Sequence, residues 1–139
     1  MPTDDTCIFC KIVAGEIPCF KLHEDDDTIA FMDINPAHQG HALAVVKGHW
    51  PTILDIPGDK LAAVAQTAKR VAEALQASLS PDGINIVQAN GKGAEQSVPH
   101  LHFHVLPRVV GDDLKLNWGH NPSDMEVIKA NYEMMLAAM

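Results

Sequence analysis

Five consecutive residues, His100-Leu101-His102-Phe103-His104, carry three imidazoles at every second position with apolar residues between them. In an extended strand successive side chains point to opposite faces. His100, His102 and His104 would then share one face, about 7 Å between neighbours, while Leu101, Phe103 and Val105 pack into a core. A lone histidine is usually a satisfied polar residue, but three in alternation point to function. Near neutral pH imidazole acts as nucleophile, general acid or base, or metal ligand. Just upstream, residues 90–99 (Asn-Gly-Lys-Gly-Ala-Glu-Gln-Ser-Val-Pro) form a polar, glycine-containing loop. Its backbone N–H groups and the side chains of Asn90, Gln96 and Ser97 suit phosphate oxygens. Alone, such a loop would read as a solvated hairpin; directly before three histidines it reads as an anion site.

Cys7 and Cys10 have Cys-x-x-Cys spacing, which leaves a metal site and a redox motif both open. With Cys19 the cysteine count is odd, which argues against a disulfide framework, and Cys19 itself reads as a small core residue. His41 follows Gly40 and His49 follows Gly48; His23, His38 and His120 read as surface histidines.

The net charge of −8 argues against nucleic-acid binding, which wants a basic face. A phosphate site must therefore be local, built from backbone N–H groups and histidine rather than from a Lys/Arg field. No apolar run is long enough to span a bilayer, and the acidic start Met1-Pro2-Thr3-Asp4-Asp5 is unlike a secretory signal, so the expected location is cytoplasmic.

The elements that must position these residues follow from periodicity and turn chemistry. Residues 7–14 suggest a short helix ended by Gly15 and Pro18. Strands are expected at 20–24 and 28–32, joined by the turn Asp25-Asp26-Asp27, then at 41–46, 84–89 and 101–106. A long helix over 59–79 places Leu61, Val64, Ala68, Val71, Leu75 and Leu79 on one stripe, and Ser80-Pro81-Asp82-Gly83 stops it. A last helix starts near Ser123, where Ser123-Asp124-Met125-Glu126 has the capping-box pattern. Its apolar positions Met125, Ile128, Tyr132 and Met135 suggest that it docks on something. The 139 residues fit one domain. The expected class is α+β: about five strands in a mainly antiparallel sheet, one long helix, and short N-terminal and C-terminal helices. A sheet covered by one helix leaves its edges open, so a homodimer is expected.

On these residues the chain resembles the histidine triad (HIT) superfamily. The signature His-φ-His-φ-His-φ-φ, φ being apolar, is matched by residues 100–106. Similar blocks occur at 8–12, 30–34, Gly40-His41, Asn90-Gly91, 96–100 and Pro107-Arg108. The closest group is the small nucleoside phosphoramidase-like hydrolases, and residues 109–139, with Trp118, lie outside the core motif. The resemblance implies a HIT-like fold and attack by His102 on the α-phosphorus of an AMP- or GMP-like nucleotide conjugate. A nucleotidyl-histidine forms and water hydrolyses it, with no cofactor required for the chemistry. It implies that His104 contacts the phosphate and helps protonate the leaving group, that the His100 carbonyl orients His102, and that His41 is a further active-site histidine. Asp33 would take the ribose hydroxyls, and Ile8, Phe9, Ile12, Phe31, Ile34 and Leu43 would line the base pocket; for Phe31 and Leu43 simple core is an equal reading. In a zinc-binding subset the two cysteines join two histidines, here Cys7, Cys10, His49 and His100, around a structural Zn²⁺. One departure stands out: many relatives have Gly before the Gln, and here it is Glu95, whose side chain is expected to face solvent.

Three alternatives accompany this reading: a nucleotide-binding regulatory protein with little catalysis, a dinucleoside polyphosphate hydrolase, and a metalloenzyme with His100, His102 and His104 as ligands. The last leaves Asp33 and the phosphate-like loop unexplained.

Overall fold

Asp25 folds the first hairpin. Its Oδ1 accepts the N–H groups of Asp27 and Thr28 and the Thr28 hydroxyl at 2.7–3.0 Å. This side-chain turn doubles strand β1 (Lys21–Glu24) back as β2 (Thr28–Met32). The computed structural model describes residues 1–116 and 121–139; Trp118 and His120 lie outside the described residues. The remaining strands are β3 (Ala42–Val46), β4 (Gly83–Val87) and β5 (His102–Arg108), and the sheet order is β1-β2-β3-β5-β4 with every neighbour antiparallel. Helix α1 spans Ile8–Val13, α2 Gly58–Leu79 and α3 Met125–Ala138. The α+β class and the five-stranded sheet are as expected, and every strand pairing is antiparallel.

The central strands are apolar at nearly every position because both of their faces are covered. Ala30, Ala42, Ala44, Val46, Leu101 and Val105 meet Val64, Ala68, Val71 and Leu75 of α2. Ile29, Phe31, Leu43 and Val45 face the other way, against Cys7, Phe9 and Cys10 around α1. Three alanines on the α2 side keep the helix close to the sheet, whereas the larger side chains on the α1 side leave room for a cleft. Val64, Ala68, Val71 and Leu75 of the α2 stripe are buried as their spacing predicts, Leu61 is half-buried, and Leu79 is 48% exposed at the helix end. There Ser80 turns left-handed (φ 44°) and closes the helix with its N–H on Gln76 O.

Most element ends differ from expectation by one or two residues, and two of these differences change a residue's role. Strand β5 starts at His102, so His100 lies in the bend before the strand. The cap of α3 is Asp124, whose side chain accepts the Glu126 N–H at 2.9 Å, and not Ser123; the shorter Asx geometry takes the place of the capping box. Met125, Ile128, Tyr132 and Met135 are all exposed, so α3 buries none of its apolar positions within the chain.

Candidate active site

Pairing of β3 with β5 sets Val45 opposite His102 and Leu43 opposite His104, which brings both imidazoles to the α1 side of the sheet. There they form the floor of a cleft of about 440 Å³, with Ile8, Phe9 and Ile12 of α1 as one wall and Asp33 and Ile34 at the rim. That volume lies in the range of small-molecule sites. Phe31 and Leu43 are 4% exposed and also border the cleft, so they are core and cleft floor at once. His102 meets Phe9 edge-on, with ring centroids 5.1 Å apart.

Hydrogen bonding assigns the ring protons, since each contact needs one donor and one acceptor. His102 Nδ1–H donates to the His100 carbonyl at 2.7 Å, which leaves Nε2 as a free lone pair. The Ala37 N–H donates to His41 Nδ1 at 3.1 Å. His41 therefore carries its proton on Nε2, which donates to His104 Nδ1 at 2.9 Å and lies 3.5 Å from Asp33 Oδ2. His104 in turn keeps its proton on Nε2. The result is a row of neutral rings with one nucleophilic nitrogen and one N–H donor.

Burial holds the rings neutral. It pushes the pKa of His102 below the ordinary 6.5, against the opposing effects of the His100 carbonyl and Asp33. It lowers His41, with Asp33 opposing, and with His102 and His41 nearby it brings His104 to about 4. Asp33 has a divided carboxylate: Oδ1 accepts the Asn35 N–H at 2.8 Å while Oδ2 faces His41. Gly40 sets the approach to His41. Its φ is +92°, and a Cβ there would lie 2.6 Å from Leu79 Cδ1, so only glycine fits.

In the loop upstream, Asn90 and Gln96 are held by partners within the chain. The Asn90 amide pairs with the Ile53 N–H (2.7 Å) and with the Gln88 side chain. Gln96 Oε1 accepts the Gly91 N–H at 2.8 Å, and its Nε2 donates to the Pro51 and Val98 carbonyls at 2.6 and 3.1 Å. Neither side chain borders the cleft; both brace the loop, and Ser97 is the expected phosphate-loop residue that does border it. Glu95 takes the left-handed conformation (φ 59°), which glycine adopts more easily, and it is exposed, as expected. Sequence reasoning missed the Ala37 N–H, which no side-chain pattern marks. Cys19 packs half-buried against the α1-side core, as expected, and its free thiol also borders the cleft.

Behind the cleft, Cys7, Cys10, His49 and His100 bring one ligand atom each to within 4.8 Å of one another. Cys7 Sγ and Cys10 Sγ lie 3.4 and 3.6 Å from His100 Nδ1, and Cys10 Sγ lies 3.4 Å from His49 Nδ1. A tetrahedral zinc site with bonds of about 2.3 Å to sulfur and 2.0 Å to nitrogen has S···N edges of about 3.5 Å. His100 Nε2–H donates to the Val46 carbonyl at 2.6 Å, so its Nδ1 lone pair faces the sulfurs. Burial pushes the Cys10 thiol up; a cation beside it would release that proton. Donor set and spacing thus fit zinc, and the convergence of both sulfurs on imidazoles disfavours the redox reading. Asp33, His41 and His104 also converge, but there the 2.9 Å N···N distance and the protonated His41 Nε2 describe a hydrogen bond rather than a cage. The three histidines of the motif do not form one metal site: His100 turns to the sulfurs, His102 and His104 to the cleft.

An antiparallel sheet with a buried, uncharged imidazole on the floor of a cleft sized for a small molecule defines a domain suited to nucleophilic chemistry. The HIT domain model matches residues 14–110. The chain is 39% identical over 137 residues to the adenosine 5'-monophosphoramidase of Saccharomyces cerevisiae, covering 98% of this chain and 84% of that one. A crystal structure from Streptococcus mutans superposes with a TM-score of 0.93 at 34% identity, covering 98% of this chain and 87% of that one. A zinc-bound histidine triad family protein from Mycobacterium smegmatis superposes with a TM-score of 0.75 at 34% identity, covering 96% and 98%. The chain belongs to the histidine triad family, on its nucleoside phosphoramidase-like branch.

Proposed function

We propose that this protein is a nucleotide hydrolase that cleaves the bond between the α-phosphorus and the leaving group of a purine nucleoside phosphoramidate. The observation that carries the reading is the His102 Nδ1–H···O=C bond to His100, which leaves Nε2 unprotonated at the cleft floor. His102 Nε2 attacks phosphorus, the P–N bond breaks and the amine departs; water then attacks phosphorus, freeing His102 and the nucleoside monophosphate. His104 enters neutral, with Nε2–H available to a phosphoryl oxygen. The negative charge of the bound phosphate favours uptake of a solvent proton by His104; its Nε2 proton goes to the leaving nitrogen, and the attacking water returns one to His104. Asp33 accepts the ribose hydroxyls, Ser97 contacts the phosphate, and Ile8, Phe9, Ile12, Ile34 and Leu43 hold the base.

Cys7, Cys10, His49 and His100 would hold a structural zinc ion, which when bound cross-links α1 to the segment entering β5. Residues 1–139 act as one unit, with 109–139 outside the catalytic core. The partner is a second copy of the chain. Edge strand β1 is guarded by Lys21, His23, Glu24 and a register shift, whereas edge strand β4 has no charged residue and exposes Ile86. The three free thiols suit the reducing cytosol.

The test is turnover of adenosine 5'-phosphoramidate by wild type and by His102→Ala. The expected result is a loss of at least about a thousandfold in kcat; undiminished turnover rules His102 out as nucleophile. Tight nucleotide binding by the wild type without turnover would favour a binding protein instead.

A further inference from the structure

The segment Pro2–Thr6 is strapped over His49, and the phosphoryl chemistry does not use it. The His49 N–H donates to the Pro2 carbonyl at 2.7 Å. Asp4 divides its carboxylate. Oδ1 accepts the Thr6 N–H and hydroxyl, both at 2.7 Å, and Oδ2 lies 3.7 Å from His49 Nε2. The other nitrogen of that ring faces Cys10 Sγ. His100 divides its ring the same way, with Nδ1 toward the sulfurs and Nε2–H on the Val46 carbonyl. His100 thus has a hydrogen-bonded oxygen behind it, and His49 has a carboxylate oxygen within ion-pair distance, short of a direct hydrogen bond. Such an acceptor fixes the tautomer of a ligating histidine and raises its basicity.

We propose that Asp4 is the outer carboxylate of the Cys7–Cys10–His49–His100 centre, a positioning residue that aims His49 Nδ1 at a bound thiophilic divalent cation. This rests on the metal reading of that centre. The two imidazoles differ in what backs them. His100 leans on a backbone carbonyl inside the core, whereas His49 leans on a side chain that is 40% exposed. His49 is therefore the adjustable ligand, and Asp4 with its strap sets how firmly the centre holds its ion.

The test is zinc affinity of the full chain, by competition with a chromophoric chelator, together with the visible spectrum of the cobalt(II)-loaded protein. Asp4→Asn keeps the Oδ1 acceptor for Thr6 and removes the charge. It should weaken zinc binding about tenfold or more and shift the cobalt bands. Thr6→Val, which loses the hydroxyl contact but keeps the carboxylate, should stay within about twofold of wild type. In a His49→Ala background Asp4→Asn should have no further effect, since both act through one ligand. Wild-type affinity for Asp4→Asn overturns the proposal. So does an equal loss in the His49→Ala background, or a tenfold loss in Thr6→Val. A wild-type chain that binds no zinc overturns the metal reading beneath it, a separate result.

Discussion

His100 and His102 are joined by one bond that links two sites: the carbonyl of His100 holds the Nδ1–H of His102 at 2.7 Å, while the ring of His100 faces the sulfurs of Cys7 and Cys10. Those cysteines flank Ile8 and Phe9 in a helix of six residues, too short to be stable alone. Metal removal should therefore loosen the cleft wall more than the nucleophile. Chelation is expected to raise KM about tenfold, equal to about 1.4 kcal/mol of lost apolar contact, with kcat changed little and Tm lowered. Steady-state kinetics with and without chelator, followed by zinc add-back, check this.

The buried rings give the fold and the chemistry a shared acid limit. Unfolded, His41, His102 and His104 take up protons near 6.5; folded, they do so only at lower pH, His104 at about 4. The folded state binds fewer protons in between, so stability from these groups is fully present above pH 6.5 and is lost as pH falls toward 4. Activity should hold to below pH 6.5 and then fall together with stability. A pH–kcat/KM profile beside urea unfolding at pH 7 and pH 5 tests the pairing.

Gln96 braces the loop through three hydrogen bonds to backbone. Gln96→Ala should cost about 1–3 kcal/mol by leaving half-buried polar groups unpaired, and should raise KM by displacing Ser97. Gln96→Glu loses the donors to Pro51 and Val98 and should fail in the same direction. Denaturant midpoints and KM for both variants decide.

Glu95 is left-handed and acidic in the loop proposed to meet phosphate through Ser97. Glu95→Gly relieves a left-handed φ of 59° and should stabilise the fold by about 0.5–1 kcal/mol after the entropy cost of glycine. Loss of the exposed charge should lower KM roughly twofold at low salt, with the gain fading as salt rises.

Ile86 marks the unguarded edge. If the proposed dimer pairs through this edge, wild type sediments as a dimer and Ile86→Lys as a folded monomer, which sedimentation velocity of both chains reads directly.

Much of this molecule is legible in its residue pattern, and the rest is not for physical reasons. His102 and His104, the α2 stripe and the Asp25 turn follow from periods and side-chain chemistry that act over a few residues. The ring assignments do not, because the Ala37 N–H and the Val46 carbonyl are backbone groups with no signature of their own. The internal partners of Asn90 and Gln96 are likewise backbone groups of a distant segment, the Ile53 N–H and the Pro51 carbonyl, which composition does not reveal. Ser123 and Asp124 compete for one cap, and the choice rests on a single residue of register.

The uneven exposure of the cleft bears on how substrate range can be changed. Phe31 and Leu43 on the floor are 4% exposed and carry the sheet, whereas Ile8 and Ile34 at the rim are 48% and 76% exposed. Libraries confined to positions 8 and 34 should therefore explore new nucleobases on an intact scaffold, with catalysis and fold left out of the search.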